Sequence, residues 1–190
     1  MKTRILLALL PLLCTPFALA QHQAFNINPD SSTVSFTLDS GHDTTNGTFH
    51  VEKGTVDFDG ATPALSGIVV VSASSGNTGN ASRDKKMLND VLQASKFSEV
   101  TFVPQNFSGT LHPTGDSTLQ VTGIFNLHGT PHTITVPMQM HIEGNKLTAK
   151  TIFKVPYVEW GLKDPSWFVL KVAKEVEVNL TLVGFLVATH

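Results

Sequence analysis

Residues 175–184 read Glu175-Val176-Glu177-Val178-Asn179-Leu180-Thr181-Leu182-Val183-Gly184. Val176, Val178, Leu180 and Leu182 fall on one side of an extended chain, and Glu175, Glu177, Asn179 and Thr181 on the other. Successive side chains of a strand point to opposite faces, so this alternation marks a strand with one buried face. Working outward, the same period recurs along the chain. Ile134, Val136, Met138, Met140 and Ile142 form one face, with Thr133, Thr135, Gln139 and His141 opposite. Leu147, Ala149, Phe153 and Val155 continue it; Leu119, Val121, Phe125 and Leu127 precede it. Val34, Phe36 and Leu38 alternate with Ser35, Thr37 and Asp39, and Ile68 to Val71 is a β-branched run. Phe49 and Val51 share a face, as do Val56 and Phe58, but the parity changes at Lys53-Gly54, where a turn or bulge is expected.

The breaks carry turn chemistry: Asn28-Pro29-Asp30, Asp59-Gly60, Pro113-Thr114-Gly115-Asp116, His128-Gly129 and Gly144-Asn145. The last two are short enough for hairpins and imply antiparallel neighbours. Eight to ten closely spaced strands mean an all-β sandwich or barrel in one domain. One segment departs from the pattern. Ser82 is placed to cap a helix running to about Gln93, with Met87, Leu88, Val91 and Leu92 as its apolar stripe. Arg83, Lys85, Lys86, Asn89 and Asp90 then point away. The Gly/Ser/Asn-rich stretch from Ser72 to Ser82 reads as a mobile loop.

The first twenty residues read as something other than fold. Lys2 and Arg4 precede an apolar run from Ile5 to Leu13, and Ala18-Leu19-Ala20 supplies a small-residue cleavage pattern. Residues 1–20 are therefore expected to be a secretory signal peptide, leaving 21–190 as the folded domain and a periplasmic or secreted protein. The apolar run is too short to span a bilayer, so the domain is peripheral to a membrane at most. The chain has 190 residues, a net charge of −2 and one cysteine, Cys14, which lies within the leader. A nucleic-acid partner would require a basic patch, so none is expected. A disulfide framework is excluded.

Catalytic patterns are absent from the sequence. There is no Gly-x-Ser-x-Gly elbow, no His-Glu-x-x-His pair and no phosphate loop, and no enzymatic activity is expected. Eight histidines leave one alternative, a metal-binding protein or metal-dependent enzyme using His128, His132 and His141, which would need three or four converging ligands. The inward residues are more informative. Phe36, Phe49, Phe102, Phe125 and Phe153 lie on apolar strand faces, and Trp160, Trp167 and Phe168 cluster near one turn. Large inward side chains suit either the solid core of a structural β-sandwich or an eight-stranded barrel around one small apolar ligand. Periodicity does not separate the two.

Several blocks, in order and spacing, resemble one family. They are Asp30-Ser31-Ser32-Thr33-Val34-Ser35-Phe36, Gly47-Thr48-Phe49, Gly54-Thr55-Val56-Asp57-Phe58, Ser72-Ala73-Ser74 followed by Arg83-Asp84, Val121 to Thr130, and Trp160-Gly161-Leu162 before the final strand. From about Ala24 to Gly184 the chain resembles the YceI-like family of secreted, lipocalin-like, polyisoprenoid-binding proteins. The resemblance implies an eight-stranded antiparallel barrel with one short helix and an apolar internal tunnel. It also implies a bound isoprenoid lipid, an isoprenoid quinone or a polyprenyl phosphate, and no other cofactor. Phe36, Phe49, Phe102, Phe125, Phe153 and Trp167 are then the expected tunnel lining. Arg83 and His128, at element ends where a mouth could form, are the headgroup candidates. A homodimer is compatible with the resemblance, and exposed edge strands offer one way to pair.

Overall fold

The computed structural model of the protein describes residues 22–41, 43–59, 62–166 and 171–189. The expected leader lies outside them. The described residues form nine strands: β1 (His22–Ile27), β2 (Thr33–Asp39), β3 (Thr44–Asp59), β4 (Leu65–Asn77), β5 (Glu99–Gly109), β6 (Gly115–Leu127), β7 (Thr130–Glu143), β8 (Lys146–Val155) and β9 (Val176–Ala188). All neighbours are antiparallel, and the order β3-β2-β9-β8-β7-β6-β5-β4 returns to β3. The sheet thus closes into a barrel. A sandwich, which needs two separate sheets, is excluded, and the ring leaves no full-length edge strand for a second copy to extend.

Nine strands fill eight positions because the first position is split. β1 pairs with the later half of β3 and the end of β9. β2 pairs with the earlier half of β3 and the start of β9. A 3-10 turn, Pro29–Ser31, separates the two pieces, with the Asn28 side chain capping it at Asp30 N–H. Proline lacks the donor a central strand needs, so a break falls where Asn28-Pro29-Asp30 predicts a turn. The break would orphan the backbone of Val183 on β9. Instead, Val183 N–H donates to Ser32 Oγ at 3.0 Å, and Asn28 N–H donates to Val183 O at 2.8 Å.

The hairpins behave as their turn residues require. Leu127 and Thr130 face each other across His128 and Gly129, both at positive φ (54° and 75°), the geometry of a two-residue turn that matches strand twist. The parity change is a bulge and not a turn: β3 continues through Lys53-Gly54, which pair regularly, with a register shift at Glu52 between Val51 and Lys53. Two expectations are corrected. Ser72 to Asn77 is strand and not loop, since β4 runs to Asn77. Its small residues serve packing: a Cβ on Gly76 would meet the Met87 methyl at 2.6 Å and the Phe49 ring at 2.7 Å. The helix is capped by Asn80, whose Oδ1 accepts from Ser82 and Arg83 N–H, and not by Ser82. Helix α1 spans Ala81–Lys86 and continues as a π-helical turn over Met87–Val91.

Alternation of direction sends the connections to two ends. The helix, the β2–β3 turn, the β6–β7 turn and the long β8–β9 connection lie at one end; the β3–β4, β5–β6 and β7–β8 turns lie at the other. Ser32→Ala removes the only acceptor shown for Val183 N–H while leaving the tunnel wall intact. A loss of about 1–2 kcal/mol is expected, the usual consequence of orphaning a part-buried donor, and is measured as a lower midpoint of urea unfolding with unchanged slope.

Candidate functional site

The ring encloses a cavity of about 730 Å³, within the size range of small-ligand sites. Its floor is formed by Leu65, Phe107, Leu111, Met140 and Leu147, near the end with the short turns. Its mouth, at the helix end, is formed by Asp43, Thr45, Thr78, Asn80, Arg83 and Lys86. Among the described residues of the wall, the charged ones are Asp43, Arg83 and Lys86, all at the mouth. Polarity is therefore graded from an ionic rim to a hydrocarbon floor.

Phe36, Phe49, Phe102, Phe125 and Phe153 all belong to the cavity wall. Phe36 and Phe49 contact each other from β2 and β3, ring centroids 5.4 Å apart. Phe125 and Phe153 meet edge to face at 6.0 Å. Two rings have room only because a glycine faces them on the adjacent strand. A Cβ on Gly47 would meet the Phe36 ring at 2.4 Å, and one on Gly123 the Phe102 ring at 2.6 Å. These glycines set how far the rings lie back against the wall and leave the centre open. Trp167 lies outside the described residues.

The two headgroup candidates separate. Arg83 is at the mouth, where its Nε donates to Thr78 Oγ1 at 2.8 Å and its terminal nitrogen to Thr78 O at 3.0 Å. Thr78 in turn donates through Oγ1 and N–H to Asp84 Oδ1. The expectation that Arg83 and Lys86 point away from the barrel is thereby corrected: both form part of the rim. His128 does not belong to the described cavity wall. Its positive φ in the β6–β7 turn directs the ring against Phe97, centroids 4.1 Å apart.

The three histidines of the metal alternative do not converge. His132 stacks on Trp160 at 3.9 Å and 8°. His141 bonds Asp116 through Nδ1 at 2.7 Å. Nine residues of β7 separate these two, on the order of 30 Å in an extended strand, and they face opposite sides of it. Among the described residues no cluster of three or more His, Cys, Asp or Glu could hold a metal ion.

The described residues of the β8–β9 connection supply wall residues that periodicity did not reveal, because they are neither strand nor helix. Tyr157, Leu162, Pro165 and Val172 come from it. Buried Tyr157 and Leu162 form a second apolar cluster with Leu127 and Val155, and Val91 and Leu92 of the helical segment pack against it. Hydrogen bonds hold the connection across the barrel end: Tyr157 Oη donates to Ala173 O at 2.8 Å, and Ala173 N–H to Asp39 O at 2.7 Å. Burial pushes the Tyr157 phenol up to about 12, with the nearby Asp164 carboxylate acting in the same direction. Bonds from the Ser166 hydroxyl and backbone N–H hold the Asp164 carboxyl below its ordinary value.

Comparisons with known proteins agree with this geometry. The profile of a family described as YceI-like domain matches residues 25–184. A UPF0312 protein of Pseudomonas savastanoi pv. phaseolicola is 36% identical over 106 residues, 55% of this chain and 53% of that protein. The chain thus spans about half the length of such curated relatives. A UPF0312 protein of Pseudomonas fluorescens is 29% identical over 154 residues, 76% of this chain and 75% of its own. Among solved structures, Burkholderia cenocepacia BcnA superposes with a TM-score of 0.70 at 22% identity, covering 83% of this chain and 99% of its own. A polyisoprenoid binding domain from Saccharophagus degradans gives 0.69 at 15% identity, over 90% and 99%. At these identities the two structures establish a shared fold.

Tyr157 is the only tyrosine in the sequence, so its ionisation can be followed alone by tyrosinate absorbance. A midpoint near 12 is expected in the folded protein, against one near the ordinary 10.0 in denaturant. Because the folded value is the higher, the stabilisation from the neutral phenol is complete below pH 10 and is lost as pH rises from 10 to about 12. Tyr157→Phe should flatten that fall; an unchanged slope would show that the phenol is not its source.

Proposed function

The chain belongs to the YceI-like domain family, and from that premise we propose that it is an exported binding protein that carries or sequesters an isoprenoid lipid in the barrel interior. The observation that carries this reading is the enclosed cavity of about 730 Å³, apolar along its length and charged only at its mouth. A branched hydrocarbon chain gains ~25 cal/mol for each Å² it withdraws from water. The five phenylalanines, two of them backed by Gly47 and Gly123, offer surfaces that fit between branch methyl groups. Binding without catalysis accords with the family and with a wall whose functional groups are hydrocarbon.

The Arg83–Thr78–Asp84 network and Lys86 present a polar headgroup with a charge-bearing rim. An isoprenoid quinone and a polyprenyl phosphate both fit a hydrocarbon tunnel below such a rim. The leader-like residues 1–20 support export, and with it a periplasmic or secreted location next to membranes that contain such lipids. The polyisoprenoid-binding description of the Saccharophagus degradans domain supports the same ligand class.

Organic extraction of protein exported by its native host, followed by mass spectrometry, should yield a prenyl lipid in about one-to-one ratio. Phe102→Asp, which places a carboxylate in the apolar wall, should abolish that retention; circular dichroism would confirm that the barrel still folds. Wild-type retention by folded Phe102→Asp would remove Phe102 from the binding surface. Absence of any extractable lipid from the wild-type protein would overturn the carrier reading.

A further inference from the structure

At the end of the barrel opposite the mouth, one connection reaches into the tunnel wall. Residues 110–114 join β5 to β6, and Thr110, His112, Pro113 and Thr114 are exposed. Leu111 turns the other way: it is partly buried, packs against the main core cluster and belongs to the cavity wall. The other floor residues, Leu65, Phe107, Met140 and Leu147, stand on strands. Among the described residues, Leu111 is the only wall residue that comes from a connection at this end. Strand side chains line the sides of a barrel. A connection crosses its end, so a side chain turned inward from there closes it.

This connection is held in place. Gly109, where β5 ends, has φ 108°, a conformation that glycine adopts without strain. Pro113 fixes its own φ. His112 N–H donates to Ser117 Oγ at 2.9 Å, and Thr114 Oγ1 to Ile142 O at 3.4 Å. Alternation along β6 turns Ser117 inward with Leu119 and Val121, and it is buried, yet it does not belong to the described wall. Its hydroxyl anchors the loop instead, and Leu111, the residue before His112, takes the place in the wall. A prenyl chain that enters tail first at the mouth meets Leu111 at the end of its travel.

The size of the tunnel translates into a chain length. Val155, towards the mouth, lies eight residues along β8 from Leu147 at the floor, about 26 Å of strand. Strands of a closed barrel tilt by about 40°, so the axial depth is about 20 Å. An isoprene unit adds four backbone bonds of about 1.5 Å each, on the order of 5 Å when extended, so the depth holds about four units. The volume gives a similar figure. At about 30 Å³ per carbon, taken as equal to the share of a water in the liquid, 730 Å³ holds about 24 carbons, or about five units. Resting on the carrier reading above, we propose that Leu111, presented by the pinned β5–β6 connection, is a specificity residue that stops the prenyl chain and limits the enclosed length to about four to five isoprene units. A longer chain leaves units outside, among the charged groups of Asp43, Arg83 and Lys86 at the mouth, where they gain no burial.

The test loads the purified protein, stripped of lipid, from an equimolar mixture of prenyl alcohols of two to nine isoprene units in one detergent buffer. The bound alcohols are extracted and quantified by mass spectrometry. All share one headgroup and one buffer, so a difference between wild type and variant reports the tunnel. The wild-type protein should retain alcohols of about four to five units most, with shorter ones about tenfold weaker for each missing unit, the usual gain per added atom of a drug-sized ligand. Leu111→Ala, which leaves space at the floor, should move the maximum about one unit longer, and Leu111→Trp should move it shorter. Ser117→Ala keeps every wall residue but removes the acceptor of His112 N–H, and should broaden the distribution towards longer chains. A maximum that stays in place in both Leu111 variants, shown to be folded by circular dichroism, would overturn the proposal and leave the carrier reading intact. So would an unchanged distribution in Ser117→Ala, or wild-type retention that climbs without a break to nine units. Retention of none of the alcohols by the wild-type protein would instead overturn the carrier reading, and this proposal with it.

Discussion

The interior of this protein exists only because the sheet closes, and closure depends on a single interrupted position. β1 and β2 together fill the gap between β3 and β9, and neither piece alone is long enough to do so. The interruption places Pro29 where its missing N–H is tolerated. Ser32 and Asn28 then bond both backbone groups of Val183 that a continuous strand would have bonded. An all-antiparallel ring gives every strand two neighbours, so its inner face is walled from water around most of its girth. The apolar tunnel follows from that wall.

Within the ring, the width of the tunnel is set by pairs of residues on neighbouring strands. Phenylalanine would block a barrel of this size if it projected straight inward. At Phe36 and Phe102 the ring lies over a glycine of the next strand, which turns bulk into wall and not plug. Gly76 performs the corresponding service near the mouth, letting Met87 and Phe49 approach β4 closely enough for the helix to seat. The helix then contributes apolar side chains to the barrel end and basic ones to the rim. Together with the tethered β8–β9 connection, it divides the end into a covered part and an open mouth.

This arrangement yields a site with a gradient and not a constellation. Its chemistry is solvation: charge where water reaches, hydrocarbon where it does not. The histidines that draw attention in the sequence are used elsewhere, His128 in a tilted contact with Phe97, His132 stacked on Trp160 and His141 in an exposed pair with Asp116.

The sequence by itself determined the strand faces. A period of two is a local property, and the inward sets of β2, β6, β7, β8 and β9 are legible from alternation alone. The tight turns at His128-Gly129 and Gly144-Asn145 are local too, as was the change of parity before Lys53-Gly54, which alternation alone left as either a turn or a bulge. The choice between sandwich and barrel is not local, because both bury one face of every strand. It was decided by long-range pairing of β1 and β2 with β9. The same reason explains the two misread segments. Ser72 to Asn77 has loop composition but strand partners, and its glycine is small for the helix that packs on it. Arg83 and Lys86 lie off the apolar stripe, yet the helix is seated at the mouth, so the polar side of the helix reaches the rim. The five phenylalanines were visible as inward residues; that the Phe36 and Phe102 rings lie back against the wall depends on Gly47 and Gly123, which only the tertiary structure places beneath them.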